Sequence, residues 1–474
     1  MTRIKDSRWL ALVVLCAGML MIILDQTIVN VALPAIQTSL GFSQAGLAWV
    51  VNAYLIAFGG LLLLAGRLGD LIGRRRIFLI GLGVFTSASL LCGASLSAEM
   101  LVAARFLQGI GGAMATAVTL GMIITMFPEP VDRARAIGVF SFVAAAGAAV
   151  GLLLGGVLTQ ALNWHWIFLV NVPIGVAAFV LTRRLVPHED GVGLGEGADV
   201  IGAVLITSAL MLGVYSIVET SWLGMVAIAL LAAFAVRQMA SANPLLALRV
   251  FRSRNVTWAN VVQILMIAGM FGMFFLGTLY MQRVLGYDAL EIGLAFLPVA
   301  VAIGALSVGF SARLSSRFGE RNVLLAGLVL ILIGLILMTR TPVGGHYLTD
   351  LLPAMLAMGV GGGICFPALM TLAMSDADER DAGMASGLVN TTAQVGGAVG
   401  LAVLATVSTS HTQSLMAQGS SLPSALTSGF HVAFGIGAVL VAAAIVATAA
   451  AIRPVVAPQP QADTSRVVEP ARVS

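Results

Sequence analysis

An all-α polytopic membrane protein is predicted by three observations. Of the 474 residues, 59% are hydrophobic and only 10% are charged, against ~25% charged in a soluble chain. The apolar residues gather into fourteen stretches, each near the roughly 20 residues needed to cross a hydrocarbon core about 30 Å thick. Basic residues crowd the breaks on alternate sides of those stretches.

The stretches begin near Trp9, Ala48, Ile77, Leu101, Arg135, Trp166, Val200, Leu223, Val256, Glu291, Val323, Leu351, Ala382 and Leu426. The first follows Arg3, Lys5 and Arg8 as a signal peptide would. It runs too long, carries Asp25 and lacks a small-residue cleavage site, so it reads as a retained helix. With the amino terminus inside, Arg67, Arg74 to Arg76, Arg133, Arg183, Arg184, Arg237 and Arg313 fall in the cytoplasm, and only Arg283 and Arg340 fall outside. The expectation is a multi-pass protein of the cell's inner (cytoplasmic) membrane with both termini in the cytoplasm. The six tryptophans, which favour the headgroup zone, fall at span edges in the same topology.

Topological bias accounts for the net charge of +4, and no nucleic-acid partner is expected. Lys5 is the only lysine, so no phosphate-binding G-x-x-x-x-G-K-[ST] loop exists and ATP-driven pumping is excluded. Cys16, Cys92 and Cys365 lie inside apolar stretches without metal-ligand spacing and read as packing residues. The five histidines are scattered, and no catalytic Ser/His/Asp order or cofactor loop is present. An enzyme is not expected, nor a cofactor or a metal.

The chain divides as six spans in residues 1–184, two further spans and a basic segment in 185–254, six more spans in 255–453, and a Pro- and Gln-containing tail, 454–474, expected to be disordered. A faint repeat supports related halves: Gly66 to Arg74 after span 2 is echoed by Ser311 to Gly319 after span 10, without the acid.

Asp25 is the one acidic side chain well inside an apolar stretch, and membrane carboxylates are costly and usually functional. Burial disfavours a carboxyl's ionised form, which makes Asp25 a candidate for proton exchange; the alternative is an ion pair that only fixes packing. Arg105 lies at a similar depth on span 4 and is the candidate partner. Gly66, Gly69, Asp70, Gly73, Arg74 and Arg75 form a glycine-rich turn with an acid, read as a conformational latch or as a simple topogenic loop. Gly147, Gly151 and Gly155 recur every four residues and are followed by Gly156, a spacing that suits close helix approach of a functional or a generic kind. Gln26, Asn30, Asn52, Gln108, Asn390 and Gln394 are candidates for a polar cavity lining, with interhelical hydrogen bonding as the alternative. Met266, Met270 and Met273 on span 9, with Phe271, Phe274 and Phe275, are expected to face lipid, with contact to variable lipophilic ligands as the alternative.

Leu24 to Pro34 resembles the helix 1 signature of the 14-helix drug/proton antiporter branch of the major facilitator superfamily, and Gly66 to Arg76 resembles that superfamily's loop 2–3 motif. Arg105-Phe106-Leu107-Gln108-Gly109 is similar to the helix 4 motif associated with proton coupling, and Trp164 to Gly175 is similar to the helix 6 entrance. The likeness covers nearly the whole chain. It implies a major facilitator fold of two six-helix bundles plus two extra central helices, with helices 1 and 4 facing a central cavity. It also implies a proton-coupled exporter of lipophilic or amphiphilic drugs, whose partners are a small lipophilic substrate, protons and the lipid bilayer; function as a monomer is a separate expectation.

Two departures stand out. His165 replaces the family's usual arginine, and Leu152 stands where the helix 5 motif has proline. Span 13 offers Asn390 and Gln394 where relatives that handle dications carry an acid, which favours neutral or monocationic substrates. A dedicated exporter of one metabolite or antibiotic, and a non-transporting sensor or assembly partner, stay open as alternatives.

Overall fold

The computed structural model describes residues 2–187, 191, 193, 197–219, 221–241, 243–246, 251–374 and 382–453. The tail 454–474 lies outside the described residues. The regular elements among them are helices: α1 (Thr2–Leu40), α2 (Gln44–Ile72), α3 (Arg74–Gly93), α4 (Ala98–Met126), α5 (Pro130–Ala161), α6 (Trp166–Leu169), α7 (Asn171–Leu185), α8 (Val200–Glu219) and α9 (Leu223–Ala240). The second half contains α10 (Arg254–Arg283), α11 (Ala289–Ala305), α12 (Ser311–Phe318), α13 (Glu320–Met338), α14 (Leu352–Met374), α15 (Ala382–Ala417) and α16 (Leu422–Ala451).

All fourteen apolar stretches fall on helices. Twelve segments among the described residues are long and apolar enough to cross a membrane, and α5 and α11 carry shorter apolar runs. The run of α11 is short because a π-helical turn, Leu306–Phe310, separates it from α12. In hydrocarbon every backbone polar group needs an internal partner, which leaves helices as the only open-ended solution. Ser43, Ser97 and Ser253 cap helix starts with their hydroxyls, and Asp288 with Glu291 forms a reciprocal capping box. The two repeat motifs end alike: Gly73 (φ 100°) joins α2 to α3 and Gly319 (φ 80°) joins α12 to α13. A side chain at either position would be strained in that backbone conformation.

Within the first half, α1 packs on α5 and α7, α2 on α4, and α3 on α4 and α7. Within the second, α10 packs on α15 and α16, and α13 on α14 and α16. The halves meet where α2 lies against α15, α5 against α11 and α1 against α10. The α8–α9 hairpin inserts beside the first of these seams, with α8 touching both α2 and α15. Met266, Met270 and Met273 are buried in protein rather than facing lipid, a correction that follows from α10 being enclosed by α14, α15 and α16.

At the foot of the hairpin Asp199 is buried and accepts from the Gly202 amide (2.9 Å), Arg237 Nε (2.9 Å) and Gln238 Nε2 (2.7 Å). Burial opposes its charge, yet these donors hold the carboxyl below its ordinary range.

Candidate functional site

The buried charged side chains among the described residues are Asp25, Arg105 and Asp199. The first two form one ion pair. Arg105 Nη1 donates to Asp25 Oδ2 at 2.5 Å, with the carboxylate on α1 and the guanidinium on α4. Neither is reached by solvent, at 0% and 1% exposure, so the pair is unscreened and depends on its hydrogen bonds for compensation.

Those bonds come from four helices. Asp25 Oδ1 accepts from Gln108 Nε2 (2.7 Å) and from Asn171 Nδ2 on α7 (3.1 Å). Arg105 also donates to Gln108 Oε1 (2.7 Å) and, through Nε, to the Val50 carbonyl on α2 (2.9 Å). Gln108 Nε2 further donates to Ser89 Oγ on α3 (2.8 Å). The guanidinium lies over the Tyr54 ring, 4.4 Å from its centroid, a cation–π contact that strengthens with desolvation. Tyr54 in turn accepts a hydrogen bond from Gln26 Nε2 (3.3 Å).

Beside this network is a cavity of about 110 Å³ at the junction of the two halves. Gln26, Tyr54 and Arg105 line it from one half, and Phe271 of α10 and Gln394 of α15 from the other. Two of the six cavity candidates, Gln26 and Gln394, therefore face it. Gln108 serves the carboxylate instead. Asn30 is tied to its own helix through the Gln26 and Thr27 carbonyls, Asn52 is buried with neither amide atom partnered, and Asn390 is exposed.

The glycine-rich turn sits at the arginine-rich face. Asp70 on the last turn of α2 pairs with Arg74 (3.1 Å), whose other nitrogen donates to Thr125 on α4 (3.2 Å). Gly69 packs directly on Val118, and a Cβ on Gly66 would reach Ala117 at 4.0 Å. Arg75 donates to the Arg183 carbonyl. These contacts join α2, α3, α4 and α7 at one end of the first half.

Gly147, Gly151 and Gly155 bring α5 onto α1, where a Cβ on Gly155 would lie 2.7 Å from the Ile28 carbonyl oxygen. Gly156 faces the other half: its Cβ would lie 2.7 Å from the Ala289 carbonyl oxygen on α11. Leu152 leaves α5 continuous, and its carbonyl lies close to Gly293 of α11. At the same end Arg283 Nη2 donates to Gln37 Oε1 (2.6 Å), joining α10 to α1. His165 stacks on Trp164, and its Nδ1 lies 3.0 Å from the Gly93 carbonyl.

Gly156→Val is expected to part α5 from α11 at the face opposite the arginines, because backbone atoms there cannot yield as a side chain could. In a background with Cys16, Cys92 and Cys365 replaced, a cysteine at Leu290 should react with a membrane-impermeant maleimide several-fold faster in the variant. An unchanged labelling rate would contradict this.

The comparisons with known proteins agree with this architecture. The Major Facilitator Superfamily profile matches residues 15–401. The chain belongs to the major facilitator superfamily. It is 38% identical over 457 residues to the puromycin resistance protein pur8 of Streptomyces alboniger, covering 92% of this chain and 90% of that protein. It is also 38% identical over 450 residues to the cephamycin export protein CmcT of Amycolatopsis lactamdurans, covering 92% and 91%. Among solved structures it resembles a bacterial homologue of the human lysosomal transporter Spinster, inward-facing and unoccupied, with TM-score 0.68 and 17% identity over 94% of this chain and 98% of that one. This facilitator-fold chain is thus a multi-pass membrane transporter.

Sequence reasoning found the charged pair but missed three of its supports. Asn171 was visible only within a family motif, and Ser89 and Tyr54 carried no signal. A serine in an apolar helix ordinarily bonds its own backbone, and Ser89 does so with the Phe85 carbonyl (2.9 Å) as well.

Proposed function

We propose that this facilitator exports a lipophilic or amphiphilic antibiotic or drug across the bacterial inner membrane in exchange for protons. The single observation that carries the reading is the Asp25–Arg105 pair, fully buried, with Arg105 bordering a cavity between the two halves. Residues 1–184 and 255–453 are the moving halves, and the arginine-rich face and both termini are cytoplasmic. A proton arriving at Asp25 removes the charge that holds Arg105, and the two protonation states favour different arrangements of the halves. The Asp70–Arg74 latch and the α5–α11 contact mark the opposite ends at which those arrangements differ.

Similarity to proteins named for puromycin resistance, cephamycin export and multidrug resistance supports the drug class. The cavity is lined by two amides, two aromatics, four aliphatic side chains and Arg105, with no acid among the described lining residues, which suits neutral or monocationic compounds. A second reading, a dedicated exporter of one antibiotic, is favoured by two relatives named for a single compound each. A susceptibility panel in a pump-deficient host, followed by efflux from proteoliposomes under an imposed pH gradient, tests both. Protection against several unrelated lipophilic drugs favours the broad exporter, and protection against one favours the dedicated one. Efflux indifferent to the pH gradient would overturn proton exchange.

A further inference from the structure

The outer surface of α3 carries a pattern that the proposed transport mechanism leaves unexplained. Ile77, Phe78, Leu82 and Phe85 point into the protein, while Arg76, Ile80, Ser87 and Leu91 share the opposite, exposed stripe. On that stripe lies an apolar groove of about 440 Å³, closed at its sides by Leu107 of α4 and Phe179 of α7. The volume falls in the roughly 300–1,000 Å³ range of sites that hold a small ligand. Gly83 lies on its floor, where a Cβ would rest in ordinary contact with the Phe179 ring at 3.8 Å and a longer side chain would project into the groove.

The groove runs toward a cluster of positive charge. Arg76 lies one helical turn below Ile80, and Arg183 lies one turn beyond Phe179, so each extends a wall of the groove to the arginine-rich face. Both side chains are exposed there. The Arg75 bond to the Arg183 carbonyl holds the ends of α3 and α7 together.

We propose that this groove is a binding site for an anionic phospholipid of the leaflet at the arginine-rich face, with one acyl chain along the α3 stripe and the phosphate between Arg76 and Arg183. The groove faces the hydrocarbon, so its occupant is an alkyl chain already at that depth, and the arginines select the charge of the headgroup attached to it.

The test is native mass spectrometry of the full-length protein released from membranes of equal phosphatidylglycerol and phosphatidylethanolamine with matched chains. At about fivefold per arginine, the wild type should retain one phosphatidylglycerol with a preference on the order of 25-fold. Arg76→Gln with Arg183→Gln should bring the ratio to about one. Gly83→Leu should weaken retention of both lipids while leaving their ratio unchanged. Soluble glycerol phosphate should not displace the lipid. Equal retention of the two lipids by the wild type would overturn the proposal without any variant needing to fold. So would a ratio indifferent to the arginine substitutions, or displacement by glycerol phosphate.

Discussion

Asp25→Asn is expected to reduce pH-driven efflux to that of protein-free liposomes while the chain stays folded and inserted. Asparagine keeps the size of the carboxylate and can still accept from Arg105, but it cannot take up or release a proton. The measurement is dye or drug efflux in proteoliposomes under an imposed pH gradient, with Asp25→Glu as the companion variant. The glutamate restores a titratable group and should recover part of the gradient-driven flux. Wild-type efflux from the asparagine variant would remove Asp25 from the coupling role.

Arg105→Gln in the Asp25→Asn background is expected to recover thermal stability that the single Asp25→Asn change loses, without recovering transport. The pair is buried at 0% and 1% exposure, so removing the carboxylate leaves a guanidinium that can neither reach water nor shed its charge. Leaving one partner of a buried pair uncompensated costs about 3–5 kcal/mol, whereas replacing both by uncharged amides leaves no buried charge without a counter-charge. The melting temperature of the purified protein should therefore fall in Asp25→Asn and rise again in the double variant. Arg105→Gln alone should be milder than Asp25→Asn, because a lone carboxyl can neutralise itself by binding a proton. A double variant no more stable than Asp25→Asn would show that the pair is not what the surrounding helices compensate.

These two outcomes separate what the residue does from what the pair holds together. Loss of transport alone follows from damage of many kinds. Loss of transport that persists when stability returns points to the missing proton site.

The candidate site was legible in part. Asp25 and Arg105 stand out in the sequence because an ionised group in hydrocarbon is too costly to persist without a purpose. Gln108 was visible as a polar residue three positions from Arg105, but its task was not: it bridges both members of the pair and Ser89. Uncharged polar side chains are ambiguous because a helix always offers them a carbonyl. Thr27 and Asn30 take that local option, while Gln26 and Asn171 reach across to other helices. Spacing does not distinguish the two. The methionines of α10 failed for a related reason: an apolar side chain reads the same whether it meets lipid or protein.

By itself the sequence determined that this chain is a stack of membrane-crossing helices, which side of them carries the arginines, and that one carboxyl and one guanidinium lie where charge is expensive. Those properties are local, set by the length of apolar runs and by the energy of each residue in its solvent. Only the tertiary structure decided that α1 and α4 bring the two charges together, that α7 supplies Asn171, and that Gly156 meets α11 while Gly155 meets α1. It also decided that a cavity opens between the halves beside them. Inside a bilayer all helices are equally content with hydrocarbon, so which ones become neighbours depends on the fit of facing surfaces distant in the chain.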